Sequence, residues 1–262
     1  MPVSGNIQWD GAGFGEMNLP AVFPLFRQVD MYLSSRIGLP PFSSKSVIII
    51  HGNGRPMCCQ LEEHLHCIVL ATENNDWCRL IFQFAHEYCH HLIDCGLSGI
   101  TAGLKWFEES ICHVSSVANI VNMAGVCANA SNPCLRYFTP SVISYLPKLK
   151  GLNYNETIQG CLPDEENPFR IIPIPKSEYV DIRQFLSDEN ALLSTTYSDG
   201  HYYFVCRALY PHFHNNPNLW KIIRHLGDTT TWNSLPDLFE HLKANADSSY
   251  KDSLDIMFSY LI

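Results

Sequence analysis

Residues 76–93 read DWCRLIFQFAHEYCHHLI, and this stretch decides how the rest of the chain is interpreted. Asp76 follows turn-forming residues and is a favourable N-cap, so we predict a helix from Trp77 to about Ile93. Apolar side chains lie on nearly every face of this helix, whereas a surface helix carries them on one stripe. We therefore expect the helix to be central and buried.

The same helix carries the sequence His86-Glu87-Tyr88-Cys89-His90, an HExxH motif. Two histidines four residues apart lie on one helical face, so their rings can converge on one metal ion, and neutral imidazole suits zinc. Glu87 lies one residue off that face, where it can reach a water at the metal without being a ligand. The alternative is a pair of buried histidines satisfied by backbone carbonyls. A metal site is favoured because it also accounts for Glu87, whose unpaired carboxylate would be costly to bury.

A second segment, Trp106-Phe107-Glu108-Glu109-Ser110, begins another predicted helix over residues 105–126, and 18 residues separate His90 from Glu109. Here the chain resembles the gluzincin zinc metallopeptidases, specifically the HExxH-x18-E pattern of the aminopeptidase N-like branch (peptidase MA-like), with Ser110 where that branch usually has Gly. The resemblance implies that Glu109 is the third zinc ligand. Glu108 is the competing candidate, and its other interpretation is a carboxylate in solvent or at the helix N-terminus.

Farther along, Tyr197-Ser198-Asp199-Gly200 is similar to the Y-x-x-G segment of the same branch. There the tyrosine hydroxyl stabilises the oxyanion, so the resemblance implies this role for Tyr197. An ordinary core or capping tyrosine is the alternative, and His201, Tyr202 and Tyr203 are substitutes for the role.

The sequence also departs from that family at two places. No G-x-M-E-N motif precedes residues 64–72, and this motif anchors the substrate amino terminus in the aminopeptidases. Four residues after Glu109, thermolysin-like enzymes have an Asp that orients a ligand histidine, whereas this chain has His113. Asp94 can supply such support instead or cap its own helix. His91 points about 100° away from His90 and is expected to support the site or lie at the surface.

The resemblance implies a zinc-dependent hydrolase that cleaves peptide bonds in a peptide or protein substrate. Metal-activated water would attack the carbonyl, with Glu87 as general base, and Zn²⁺ as cofactor. A strand over residues 64–72 would form the sheet edge on which an extended substrate pairs. Two alternatives remain: a non-catalytic, zinc-stabilised binding or regulatory protein with a peptidase fold, and a zinc hydrolase of a non-peptide amide.

Composition limits the remaining classes of function. The chain of 262 residues has a formal net charge of -9 and no run of Lys or Arg, which argues against nucleic acid as a partner. The most apolar stretches that stand out, 47–50 and 67–71, are too short to span a membrane, and no signal peptide is visible. The 11 Cys contain no CxxC pair, so free thiols in the cytoplasm are expected. The oligomeric state is not predicted.

The order of the predicted elements indicates an α+β fold. Strands at 47–51 and 64–72 lie in the first third, after a helix over 24–37 closed by Gly38 and Pro40. Further helices are expected at 199–213, 219–226, 235–246 and 250–261, with a crossover over 146–175 and His212 and His214 in a loop. We predict one zincin-like domain of two lobes: about 1–95, with a small sheet and the active-site helix, and about 96–262, mainly helical and including the glutamate helix.

Overall fold

The structure is a computed structural model. It describes residues 3–4, 6–16, 19–39, 45–74, 76–93, 104–146, 149, 161–163, 171–173, 182, 186–187, 201–228 and 234–261. The strands are β1 (Val3–Ser4), β2 (Ile7–Trp9), β3 (Ser46–His51), β4 (Met57–Glu62), β5 (Leu65–Leu70), β6 (Cys161–Pro163) and β7 (Ile171–Pro173). The first helices are α1 (Leu19–Ile37), α2 (Trp77–Ile93), α3 (Lys105–Asn129), α4 (Pro133–Tyr137) and α5 (Thr139–Tyr145). The later ones are α6 (His201–Asn215), a 3₁₀ helix (Pro217–Ile222), α7 (Ile223–Leu226), α8 (Leu235–Asn245) and α9 (Lys251–Ser259).

Contacts divide the chain into two compact units. The first comprises Met1–Leu97 with Ser115–Pro147, and the second comprises Ser98–Val114 with Lys148–Ile262. The continuous helix α3 contributes to both, because the division falls between Val114 and Ser115. The general α+β class is confirmed, whereas the predicted lobe boundaries near residue 95 stay a prediction.

A five-stranded mixed sheet organises the first unit, in the order β1-β2-β3-β5-β4. Strands β2, β3 and β5 run parallel, and β4 folds back antiparallel onto β5. The prediction that residues 64–72 form the sheet edge is therefore wrong: β5 is an interior strand, and the edge strand beside it is β4. The sequence MCCQLE of β4 lacks clear alternation of apolar and polar residues, which is why sequence analysis did not identify this strand.

An aromatic cluster packs α1 and α2 against this sheet. The rings of Trp9 and Phe26 lie 5.0 Å apart, and those of Phe26 and Phe84 lie 4.3 Å apart. Helix α1 ends as predicted at Gly38, whose φ of 76° lies in the left-handed region that favours glycine. The Leu39 N–H donates a hydrogen bond to the Ser34 carbonyl at 2.9 Å. The N-terminal start of α1 at Leu19 is earlier than predicted, and Pro40 lies outside the described residues.

The second unit is mainly helical where it is described. Phe258 of α9 packs on Phe239 of α8, with ring centroids 4.5 Å apart, and on Phe107 of α3 at 5.7 Å. The predicted loop around His212 and His214 is wrong, because both residues lie in the last turn of α6. Most of the predicted crossover over 146–175 lies outside the described residues, although β6 and β7 within it pair antiparallel.

Helix α3 is long and apolar enough, by length and composition, to cross a membrane, a property that the sequence analysis did not note. However, 67% of its most apolar window is buried inside the structure, as in the core helix of a water-soluble protein. The helix therefore leaves the predicted cytoplasmic residence untested. The cysteines whose side chains the structure describes are free thiols.

Candidate metal centre

Helix α2 forms where the sequence predicted and is almost entirely buried. Its start is capped by Asp76, whose Oδ1 accepts a hydrogen bond from the Arg79 backbone N–H at 3.2 Å. His86, Glu87 and His90 are respectively 3%, 5% and 7% exposed. Three polar side chains are thus buried along just over one turn, as the prediction of a central helix requires.

Three of the predicted site residues come together. One potential ligand atom from each of His86, His90 and Glu109 lies within 4.8 Å of the other two. The two imidazole centroids are 5.0 Å apart with their planes at 67°, and the Glu109 side chain is 18% exposed. A carboxylate that reaches solvent beside two buried rings leaves a route by which an ion can enter.

The donor set fits a zinc ion. Tetrahedral zinc with bonds of about 2.1 Å separates neighbouring ligand atoms by about 3.4 Å. Side-chain rotations that move the ligand atoms by roughly an ångström would bring separations of up to 4.8 Å to this value. Two imidazoles and one carboxylate leave a fourth position open, which is the arrangement of catalytic rather than structural zinc sites.

Glu87 is not part of this ligand group. Among the described residues, the group consists of His86, His90 and Glu109. It follows His86 on α2, so it lies about 100° around the helix axis from that ligand. Its 5% exposure places the carboxylate in the interior, one step along the helix from the metal ligands. This position suits proton transfer beside the metal better than coordination.

Glu108 has a different environment from Glu109. It is fully buried, and its Oε1 accepts a hydrogen bond from Lys105 Nζ at 2.8 Å. A position of Glu108 in solvent is therefore wrong, whereas its position near the helix N-terminus is confirmed because it lies in the first turn of α3. Glu109 is the member of the metal group. Lys105 Nζ also lies 3.7 Å from Glu109 Oε1. Burial opposes the charge on Lys105, but Glu108 and Glu109 outweigh it and raise the pKa of the ammonium group above its ordinary value.

Two serines of α3 fix its position against α2. Ser115 Oγ donates to the Ala85 carbonyl and Ser116 Oγ donates to the Phe82 carbonyl, each at 2.8 Å. Both contacts lie within the first unit, and Glu109 lies on the same continuous helix as the two serines. The sequence analysis missed these serines, although small polar residues in a buried apolar helix could have indicated a close helix–helix contact.

Other buried polar contacts hold α2 on the sheet. Gln83 Oε1 accepts from the Thr72 hydroxyl at 2.7 Å and from the Ala71 N–H at 3.0 Å. On the following turns, Nδ1 of His91 lies 2.9 Å from Nδ1 of His66 on β5, so one ring donates and the other accepts. Burial, and secondarily the nearby His66 and Lys45, lower the pKa of His91 to about 3, so its ring is neutral. A surface position for His91 is excluded.

The remaining predicted residues either lie outside the metal group or lie outside the described residues. His113 is fully buried, and it does not belong to the metal group. Asp94 and Tyr197 lie outside the described residues, as do the side chains of His201, Tyr202 and Tyr203, so their predicted roles stay predictions.

The described residues therefore provide two buried imidazoles, a partly exposed carboxylate and a buried glutamate on two adjoining helices. These groups can hold a divalent ion and exchange a proton beside it. Compared with protein-family models, the chain matches none, and a search of curated proteins finds no significant match.

Proposed function

We propose that the protein is a zinc-dependent hydrolase that cleaves peptide bonds, with His86, His90 and Glu109 as metal ligands. The observation that carries the proposal is the convergence of these three ligand atoms within 4.8 Å, together with the burial of Glu87, the residue that follows His86. A site that only stabilised the fold would not need a second carboxyl group buried on the helix that carries the two histidines.

The arrangement of elements also supports a zincin-like fold. A mixed sheet precedes the helix that carries HExxH, and the next helix carries the glutamate ligand. Imidazole with carboxylate is a donor set that zinc accepts, and soft thiolate ligands are not required for it. Zinc is therefore the proposed cofactor.

The chemistry divides between the cofactor and the chain. Bound zinc would polarise the scissile carbonyl and lower the pKa of the attacking water. Glu87 would accept a proton from that water and deliver it to the leaving amine, which restores the carboxylate for the next cycle. Tyr197 would donate a hydrogen bond to the oxyanion.

The edge strand β4 supplies a place for an extended substrate. It contacts α2 and pairs with β5 along one side only, as far as the described residues show. Met57 and Leu61 on this strand are 52% and 54% exposed, so apolar side chains of a peptide can pack there. Addition of a peptide strand would satisfy the free backbone groups of the edge.

The proposal is tested by incubating the zinc-loaded protein with a proteome-derived peptide library and identifying new termini by mass spectrometry. We expect cleavage by the wild-type protein and none above background by Glu87→Gln, because an amide cannot accept the proton of the attacking water. Zinc content should be equal in the two proteins. Glu63→Gln is a matched control, since that glutamate is 87% exposed, and it should cleave like wild type.

The outcomes separate the competing functions. Loss of zinc from Glu87→Gln would show that Glu87 is a ligand and that its assigned role is wrong. Zinc binding without any cleavage of peptides or small amides would favour the non-catalytic binding protein. Turnover of small amides alone, abolished by Glu87→Gln, would identify a hydrolase of non-peptide amides.

A further inference from the structure

A second group of metal-binding side chains lies in the second unit, far along the chain from the HExxH helix. It comprises His225 on α7, Asp228 two residues after the end of α7, and His241 on α8. One potential ligand atom from each lies within 4.8 Å of the others. The HExxH resemblance gives no reason to expect these residues to meet.

Both imidazoles point to one carboxylate oxygen. Asp228 Oδ2 lies 2.6 Å from His241 Nε2 and 3.6 Å from His225 Nδ1. These separations bracket the roughly 3.4 Å expected between neighbouring ligands of a tetrahedral zinc ion. Small rotations of the three side chains would therefore bring these atoms to ligand spacing.

The exposure of the group matches an accessible metal site. The side chains of His225, Asp228 and His241 are 26%, 39% and 20% exposed, so each is partly fixed by packing and still reaches solvent. Asn245, one turn after His241, lies with Nδ2 3.5 Å from His241 Nδ1 and donates to the His241 carbonyl at 2.9 Å. This contact favours a ring orientation in which Nε2 faces Asp228.

We propose that His225, Asp228 and His241 form a second zinc site, which ties the end of α7 to the middle of α8. Without metal, Asp228 and His241 already join these elements through their 2.6 Å hydrogen bond. On zinc binding the proton of His241 Nε2 would pass to solvent and Nδ1 would take up a proton, so that the neutral ring binds through Nε2 and His225 becomes the third ligand. The tie would make the stability of the helical unit depend on the zinc concentration.

This site should bind zinc more weakly than the buried HExxH site. Its carboxylate is more exposed than Glu109, and the exposed Arg224 beside His225 repels a cation. The two sites therefore fill in order as zinc is added. The inference does not depend on hydrolysis at the first site.

The test is the zinc content of the folded full-length chain at saturating buffered zinc. Asp228→Asn and His241→Gln should each bind about one zinc fewer than the wild-type protein, whatever the occupancy of the HExxH site. Circular dichroism verifies that the variants are folded. His64→Gln is the control, because this histidine is 83% exposed and outside both groups, and it should bind as much zinc as wild type.

A second measurement needs no variant. Zinc added to the wild-type protein should shift the imidazole NMR signals of His225 and His241 and leave that of His64 unchanged. Zinc contents of both variants equal to wild type, or His225 and His241 signals that do not respond to zinc, would overturn the proposal. In that case the Asp228–His241 pair is only a hydrogen-bonded tie between two helices.

Discussion

At the scale of single residues, the proposed metal centre depends on the different environments of two neighbouring carboxylates. Glu108 is fully buried and bound by Lys105, whereas Glu109 is partly exposed and converges with two imidazoles. Lys105 contacts both carboxylates, since its Nζ is 2.8 Å from Glu108 Oε1 and 3.7 Å from Glu109 Oε1. A zinc ion on Glu109 would repel this ammonium group, which Glu108 would then hold alone.

Tyr197 gives a prediction at the same scale. Its Y-x-x-G context resembles that of an oxyanion donor, and Tyr197→Phe removes only the hydroxyl. Turnover should fall by roughly 10²–10³-fold with zinc content unchanged, because one hydrogen bond to the developing charge is lost. Steady-state kinetics on a cleaved peptide measure this effect, with Tyr137→Phe as control because that ring is 73% exposed. Wild-type turnover in Tyr197→Phe would remove Tyr197 from the mechanism.

The relative positions of side chains were predictable where the residues lie close together in the sequence. His86 and His90 share a face because they are four residues apart, and this needs no knowledge of the fold. The partner of His91 was not predictable, since His66 lies 25 residues earlier on a strand whose position depends on the whole sheet. The environment of Glu108 was missed because the prediction considered helix position and not the packing of α3.

At the scale of elements, α2 is held by polar contacts from several sides. Tyr88 on α2 donates from its hydroxyl to Asp30 Oδ1 on α1 at 2.7 Å, and Ser34 donates to the same oxygen at 2.8 Å. Asp30 and Tyr88 are both fully buried. These contacts, in addition to apolar packing, help to set the orientation of the helix that carries the proposed ligands His86 and His90.

Replacing Tyr88 by Phe should test this clamp. The substitution keeps the ring but removes a buried hydrogen bond to a carboxyl oxygen, so we expect about 1–3 kcal/mol lower free energy of unfolding. Chemical denaturation measures the change, and Tyr260→Phe, at an exposed ring, is the control. Unchanged stability in Tyr88→Phe would mean that the Tyr88–Asp30 hydrogen bond does not help to hold α2.

The 3₁₀ helix and the turn before α9 are joined by an ion pair that gives a pH-dependent prediction. A hydrogen bond from Lys221 and further ones from Ser249 lower the pKa of Asp247 to about 2. Because the unfolded chain has a value near 4, the stabilisation is complete above about pH 4 and disappears as the pH falls towards 2. Lys221→Met should move the pKa of Asp247 upwards, as followed by carboxyl NMR. An unchanged pKa would assign the shift to Ser249, and Lys243→Met, whose partner is Asp255, is the control.

Boundaries of helices were easier to predict than the order of strands. Asp76 and Gly38 mark a helix start and a helix end through local backbone geometry, and both predictions are confirmed. Strand β5 lies in the interior because it pairs in parallel with β3. In the sequence, β4 lies between these two strands. Pairing between distant segments leaves little trace in the local pattern of either strand.

At the scale of the whole molecule, the two proposed zinc sites differ in what they control. The HExxH site uses ligands on α2 and α3, whereas the second site uses ligands from α7 to α8. Removal of zinc with a chelator should therefore abolish hydrolysis and separately lower the stability of the helical unit. The proposed activity depends on zinc at the HExxH site and not on zinc at the second site.

The central claim is that His86, His90 and Glu109 hold one zinc ion, and crystallography of the zinc-loaded protein with anomalous scattering at the zinc edge tests it most directly. The account predicts an anomalous peak about 2.0–2.2 Å from Nε2 of His86, Nε2 of His90 and a carboxylate oxygen of Glu109. Glu87 should lie outside bonding distance. A Glu109 side chain directed away from both rings, or no anomalous peak beside His86 and His90, would contradict the account.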